Sequence, residues 1–195
     1  SAASFSLSRW QGLDRFATAA AIAQAAYPAG AGSAVVASGS SFPDALAASY
    51  LASAVDGPIL LTGRDELPSA TSAELQALQV SHVYVVGGPN VVSDGVTAAL
   101  GQLMVAAGRP TVTRLGGANR YDTDLQIASF ADPSSIGTID GQRTALVVSG
   151  VNFPDALAAS PIAFANRLPI LLTDPAALSA QASTSCAIRS LWRSG

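Results

Sequence analysis

A long internal repeat constrains this chain more than any other feature, because it fixes an architecture before single residues are interpreted. The segment Ser38-Gly39-Ser40-Ser41-Phe42-Pro43-Asp44-Ala45-Leu46-Ala47-Ala48-Ser49 returns, 111 residues later, as Ser149-Gly150-Val151-Asn152-Phe153-Pro154-Asp155-Ala156-Leu157-Ala158-Ala159-Ser160. Ten of the twelve positions are identical. The run Pro58-Ile59-Leu60-Leu61-Thr62 returns at the same spacing as Pro169-Ile170-Leu171-Leu172-Thr173. Upstream, the block from Arg9 to Thr18 (RWQGLDRFAT) is matched 105 residues later by the block from Arg114 to Thr123 (RLGGANRYDT). The second copy therefore carries six extra residues, expected in the polar stretch 132–143.

Within each copy, short apolar runs alternate with longer helical patterns, which is how a parallel sheet with crossover helices reads. In the first copy the strands are expected at 34–37, 58–62 and 82–86, as runs apolar enough to be covered on both faces, and 111–115 opens the next copy. Helices are expected at 15–26, 43–54, 69–78 and 91–103. Pro43 suits a first helical turn, and Asp44 complements the positive end of the helix dipole. The second copy supplies strands at 145–149 and 169–173 and helices near 122–131, 155–165 and 178–191. The counterpart of residues 82–88 would begin near position 193, so one strand and one helix of the second unit are expected to be missing. The fold class is α/β, two tandem open parallel-sheet repeats, the second truncated, with repeat one at 1–110 and repeat two at 111–195.

Composition narrows the function. With 49% hydrophobic residues the chain can bury a core, while 12% charged residues and a net charge of -3 lack the basic excess that a nucleic-acid partner demands. All ten basic side chains are Arg, and Ala fills about a fifth of the chain, a bias that suggests a GC-rich genome. The longest apolar stretch, 17–27, is far short of the roughly 20 residues of a membrane span, so no membrane insertion is expected. Ser1 opens without a basic region followed by an apolar one, so an export signal is read as removed or never present. A single cysteine, Cys186, allows no disulfide within the chain and no cysteine-based zinc site.

Candidate chemistry is sparse. His82 is the only histidine and opens a predicted strand, which favours a structural or surface role. No H-E-x-x-H, Walker or G-x-S-x-G pattern occurs, and no cofactor or metal is expected. The turn Val86-Gly87-Gly88-Pro89 reads as a tight turn with positive backbone angles, or as a presenter of backbone N–H groups to an anion. Asp44 and Asp155 fall where a strand gives way to a helix, the end of an open α/β sheet where ligands bind. Each either pairs structurally with the arginine of its own copy, Arg15 or Arg120, or shares with it a ligand crevice.

These motifs resemble the second type of bacterial cell-wall-binding repeat, whose units run through R-[LIV]-x-G-x-x-R-[YF]-x-T, S-G-x-x-F-P-D-A-L, P-I-L-L-T and V-Y-[VI]-[VI]-G-G blocks. All four blocks stand in the first copy and three in the second. The resemblance implies secreted, Toprim-like modules that hold surface proteins non-covalently on anionic wall polymer, teichoic-acid-like or a secondary polysaccharide, usually as three units about a pseudo-threefold axis. It implies anchoring with no reaction, and family-like polar residues at Arg15, Thr18, Asp44 and Thr62 in the first copy and Arg120, Thr123, Asp155 and Thr173 in the second. Trp10-Gln11 departs from Leu115-Gly116 of the second copy. The other functions open to such a chain are a Rossmann-like or hydrolase-type enzyme acting on a phosphorylated or glycan substrate, and a structural spacer or oligomerisation unit. A sheet short of one strand exposes an unpaired edge or an apolar helix face, to which Leu191 and Trp192 add. The chain is therefore expected to self-associate as a homo-oligomer or to need further residues of its parent protein, with the second copy the less stable half.

Overall fold

The computed structural model of the chain describes residues 7–109, 111–130 and 133–188, without the side chains of Phe42, Pro133, Phe153, Asp155 and residues 185–188. Helix α1 (Arg15–Ala26) begins where Asp14 accepts a hydrogen bond from the Ala17 N–H at 2.8 Å, satisfying one of the free donors of the first turn. Strand β1 (Ser33–Ser38), helix α2 (Phe42–Val55), strand β2 (Ile59–Thr62), helix α3 (Ser69–Ala77), strand β3 (His82–Val86) and helix α4 (Asp94–Ala106) follow. Strand β4 (Thr111–Leu115) then opens the second copy, leading into α5 (Arg120–Phe130).

Strands β1 to β4 form one parallel sheet in the order β2-β1-β3-β4. The strand that opens the second repeat thus closes the sheet of the first, so the repeat boundary in the sequence runs through a sheet. The two sheet faces are both covered, as the continuous apolar runs require. Val36, Leu60, Val83 and Val85 pack with Leu75 of α3 and Val96, Leu100 and Met104 of α4. Val35, Ala37 and Val86 pack on the other side against Ala47, Tyr50 and Leu51 of α2 and Ile127 of α5. Val35, Val36, Tyr50 and Leu51 have no exposed surface, and each such side chain taken from water stabilises the fold by about 1.5–3 kcal/mol.

The six additional residues sit where expected. After α5, the stretch forms a short 3-10 turn (Pro133–Ser135) and a small antiparallel hairpin of β5 (Thr138–Ile139) and β6 (Gln142–Arg143). Gly141 makes its tight turn with a φ of 76°. Strand β7 (Leu146–Ser149), helix α6 (Phe153–Asn166), strand β8 (Ile170–Thr173) and helix α7 (Ala180–Ile188) complete the described chain. β7 and β8 pair in parallel with Leu146 opposite Ile170, the same register that sets Val35 opposite Ile59 in the first copy. The repeat in sequence is therefore a repeat in structure.

The copies meet through equivalent helices. Helix α2 lies against α6 and α5, and the Ser53 hydroxyl donates to the Phe164 carbonyl at 2.7 Å. Tyr50 is fully buried there, whereas its counterpart on α6 is the exposed Pro161. That outer face of α6 also carries Leu157 and Ile162, each about half exposed. Among the described residues β7 pairs only with β8, leaving its other edge open, where β3 stands in the first copy. The expected contribution of Leu191 and Trp192 to apolar surface lies outside the described residues, as does the Cys186 side chain. No helix among the described residues is long and apolar enough to cross a membrane.

Candidate functional site

Three strands of the first sheet end side by side, at Ser38, Val86 and Leu115, and each hands over to a loop at the same edge. These are the carboxyl ends of parallel strands, where an open α/β sheet presents helix N-termini and backbone N–H groups. The loops surround a crevice with about 200 Å³ of accessible space, to which the first copy contributes Ser41, Asp44, Gly88 and Asn90 and the second Asn119 and Arg120. The site therefore belongs to the junction between repeats.

Its floor is Asp44, in the first turn of α2 and only 3% exposed. The Oδ1 atom of Asp44 is buried with no hydrogen-bond partner. Burial pushes the carboxyl above its usual pKa, and the Arg120 guanidinium across the crevice draws it part of the way back. Gly87 lets the carboxylate come this close: its φ is 112°, and a Cβ there would stand 3.1 Å from Asp44 Oδ2. The Gly-Gly turn is thus a tight turn with a positive angle, and it also lines the crevice.

The wall on the other side is set by close backbone packing. A Cβ on Gly116 would lie 2.4 Å from the Gly87 backbone, which only glycine permits. This explains the departure in the first copy, where Gln11 and Trp10 are exposed while Leu115 and Gly116 pack against the preceding repeat's turn. The Gly87 N–H donates to the Leu115 carbonyl at 2.9 Å. Arg114 secures the same turn from β4, giving hydrogen bonds to the carbonyls of Gly87 at 2.7 Å and Val92 at 2.8 Å. It also reaches Ser93, Asp94 and the Thr97 hydroxyl.

Of the polar residues singled out from the sequence, the crevice brings together Asp44, Arg120 and Thr123. The within-copy pairing of Arg15 with Asp44 is not what the structure has. Arg15 donates to the Gly39 carbonyl at 2.5 Å, and Arg120 does the same to Gly150 at 2.5 Å, so each arginine ties its helix start to the loop after its own copy's strand. Asp44 instead faces the arginine of the other copy. The corresponding pairing of Arg120 with Asp155 involves a side chain outside the described residues. Thr18 and Thr123 accept hydrogen bonds at 3.0 Å from the N–H groups of Gly12 and Gly117, closing the entry turns. Thr62 is fully buried and donates to Glu66, while Thr173 donates to Ala177, so both brace the loops beyond their strands.

Three residues were not singled out from the sequence: Arg114, which braces the Gly87 turn, Asn119, which lines the crevice, and Asp124, which lies outside the crevice lining and holds β8. Asn119 stands at the mouth with its amide nitrogen on Asp122 Oδ2 at 2.8 Å. Asp124 is 1% exposed and accepts the Leu172 N–H of β8 at 2.8 Å. His82 lies at the opposite end of β3, stacked on Tyr84 with ring centres 4.0 Å apart and in hydrogen-bond contact with the Thr113 hydroxyl at 2.9 Å, as a structural role requires.

Comparison with known proteins agrees with this architecture. The family model described as cell wall binding domain 2 matches residues 9–97 and 114–190. The chain is 32% identical over 169 residues to N-acetylmuramoyl-L-alanine amidase LytC of Bacillus subtilis, covering 87% of this chain and 31% of that protein. It is 33% identical over 133 residues to the amidase enhancer of the same organism, covering 68% of this chain and 17% of that protein. Among solved structures, Cwp6 from Clostridium difficile superposes with a TM-score of 0.75 at 29% identity, covering 93% of this chain and 27% of that one. Cwp8 from the same organism gives 0.73 at 32% identity, with coverages of 89% and 28%. The chain spans less than a third of the length of each of these four proteins.

Proposed function

The chain belongs to the cell wall binding domain 2 family and is a cell-wall-binding module, and from that premise we propose that the crevice between its repeats is where it grips an anionic wall polymer. The polymer is teichoic-acid-like or a secondary polysaccharide, and the module anchors a secreted protein at the cell surface without catalysing a reaction. One observation carries this reading: Asp44 and Arg120 converge from different repeats on one crevice at the carboxyl ends of parallel strands. Arg120 is exposed and gives one N–H to Gly150, and its guanidinium has five donors, so others remain for an anion.

The same residues argue against turnover. The crevice sets one carboxylate opposite a guanidinium, with no second carboxylate or histidine among the residues that line it. Acid–base or nucleophilic chemistry needs a partner there that can exchange a proton. The chain as a whole is acidic, so attraction to a polyanion must come from placed groups such as Arg120 and from several weak contacts acting together.

Arg120→Ala is expected to weaken retention on purified wall sacculi by about tenfold at low salt, with a smaller difference at high salt as the charge is screened. Retention equal to that of the native chain would remove Arg120 from the site. The oligomeric part of the reading rests on the open edge of β7 and the exposed Leu157 and Ile162. Sedimentation at rising concentration is expected to show association, and a monomer throughout would eliminate that part.

A further inference from the structure

We propose that Asp44 accepts a hydrogen bond from a sugar hydroxyl, so that the crevice takes a glycosyl unit whose adjoining anionic group rests on Arg120. The inference deepens the wall-polymer reading and rests on it.

The argument begins with the orphaned oxygen. An ionised carboxylate only accepts hydrogen bonds, and a buried acceptor left empty is destabilising. Asp44 Oδ1 is such an acceptor, and it belongs to a residue that is only 3% exposed and lines the crevice. Among the described residues no donor reaches this oxygen. The Asn119 amide nitrogen is on Asp122, its oxygen accepts from the Tyr121 and Asp122 N–H groups, and the Thr123 oxygen accepts from Gly117. A ligand group that satisfies Asp44 must therefore bring its own donor.

Charge decides which donor-bearing ligand fits. A bare phosphate has no donor when fully ionised and would set like charges together at Asp44, whereas a hydroxyl donates without adding charge. At the mouth the preference is reversed, because the exposed Arg120 suits a phosphate or carboxylate. The crevice thus has a hydroxyl-seeking floor and an anion-seeking rim, the order of groups in a sugar joined to a phosphate or bearing an acid. Size agrees: about 200 Å³ is more than ten times the roughly 10–15 Å³ that a single water needs.

The test uses the whole chain in nuclear magnetic resonance titrations, following the Gly88 and Gly117 amides, with glucose 1-phosphate and methyl phosphate as probes. In the native chain glucose 1-phosphate is expected to bind about tenfold more tightly than methyl phosphate. Asp44→Ala should abolish that difference and leave methyl phosphate bound equally or more tightly. Asp44→Asn, close in shape to the native residue, should narrow the difference and tighten methyl phosphate, so the test stands even if the alanine variant fails to fold. Equal native affinities, or a preference that survives in both variants, would overturn the inference. A parallel measurement of native retention on sacculi separates the two levels. Retention without discrimination between the probes removes only the hydroxyl contact. Discrimination without retention removes the wall polymer as the ligand and leaves the hydroxyl contact standing.

Discussion

Arg114→Ala is expected to lower the stability of the chain by about 3–4 kcal/mol, because one side chain closes five polar contacts between the repeats. The guanidinium projects from β4 and reaches the turn and helix start at 87–97 of the preceding repeat. Its side chain is 19% exposed, so the carbonyls of Gly87 and Val92 would be left with little water to replace it. The separate hydrogen bonds do not add, and the ion pair with Asp94 counts for little because Asp94 is 83% exposed. Arg114→Lys should recover less than half of the loss, since an ammonium group cannot span carbonyls that the planar fork reaches together. Urea unfolding monitored by circular dichroism checks both variants, and a change below about 1 kcal/mol for the alanine would show that the turn holds itself. Because that turn carries Gly88 and Asn90, affinity for wall material should fall along with stability.

Asp44→Asn is expected to act in the opposite direction, stabilising the fold near neutral pH by about 1–2 kcal/mol while narrowing the site's preference for a hydroxyl-bearing ligand. The folded-state pKa of Asp44 is raised, by burial first, with Arg120 opposing. A carboxyl with a raised folded pKa favours folding fully below its unfolded value of about 4, and that contribution is lost as the pH climbs through the folded value. At pH 7 the native residue bears the cost of a buried charge that Asn lacks. Melting temperature should therefore rise by about 2–4 °C for each kcal/mol at pH 7, and the gain should vanish below about pH 4. A variant less stable than the native chain at pH 7 would mean that Arg120 and the α2 dipole more than offset burial.

Where local pattern decides structure, the sequence was a good guide. Strands β3 and β4 and helix α1 fall on the expected residues, since apolar runs bounded by turn residues and a capping Asp14 settle them without help from the rest of the chain. Helix α4 starts three residues later than its pattern suggests. Val91 and Val92 spend their N–H groups on the Gly88 carbonyl, and Ser93 bonds to Arg64, so a tertiary turn replaces the first helical one. The hairpin of β5 and β6 was beyond periodicity, because two-residue strands have none.

The site was half legible. Position in the repeat marked Asp44 and Arg120, yet reading each copy as self-contained paired Asp44 with Arg15. That Asp44 faces Arg120 follows only once β4 is known to cross into the first sheet, and that register is a long-range property. A strand directly after the crossover helix α4 was the available signal. Asp124 escaped notice for a related reason: the first copy has Ala19 there, so comparing the copies drew attention away from a residue that holds β8.

The central claim is that this module binds wall polymer through the junction of its repeats, and binding to sacculi before and after chemical removal of anionic polymer tests it most directly. The native chain should sediment with intact sacculi, lose most of that retention once the polymer is stripped, and regain it when purified polymer is coupled to beads. Undiminished binding to stripped sacculi would place the ligand in the peptidoglycan itself and contradict the account.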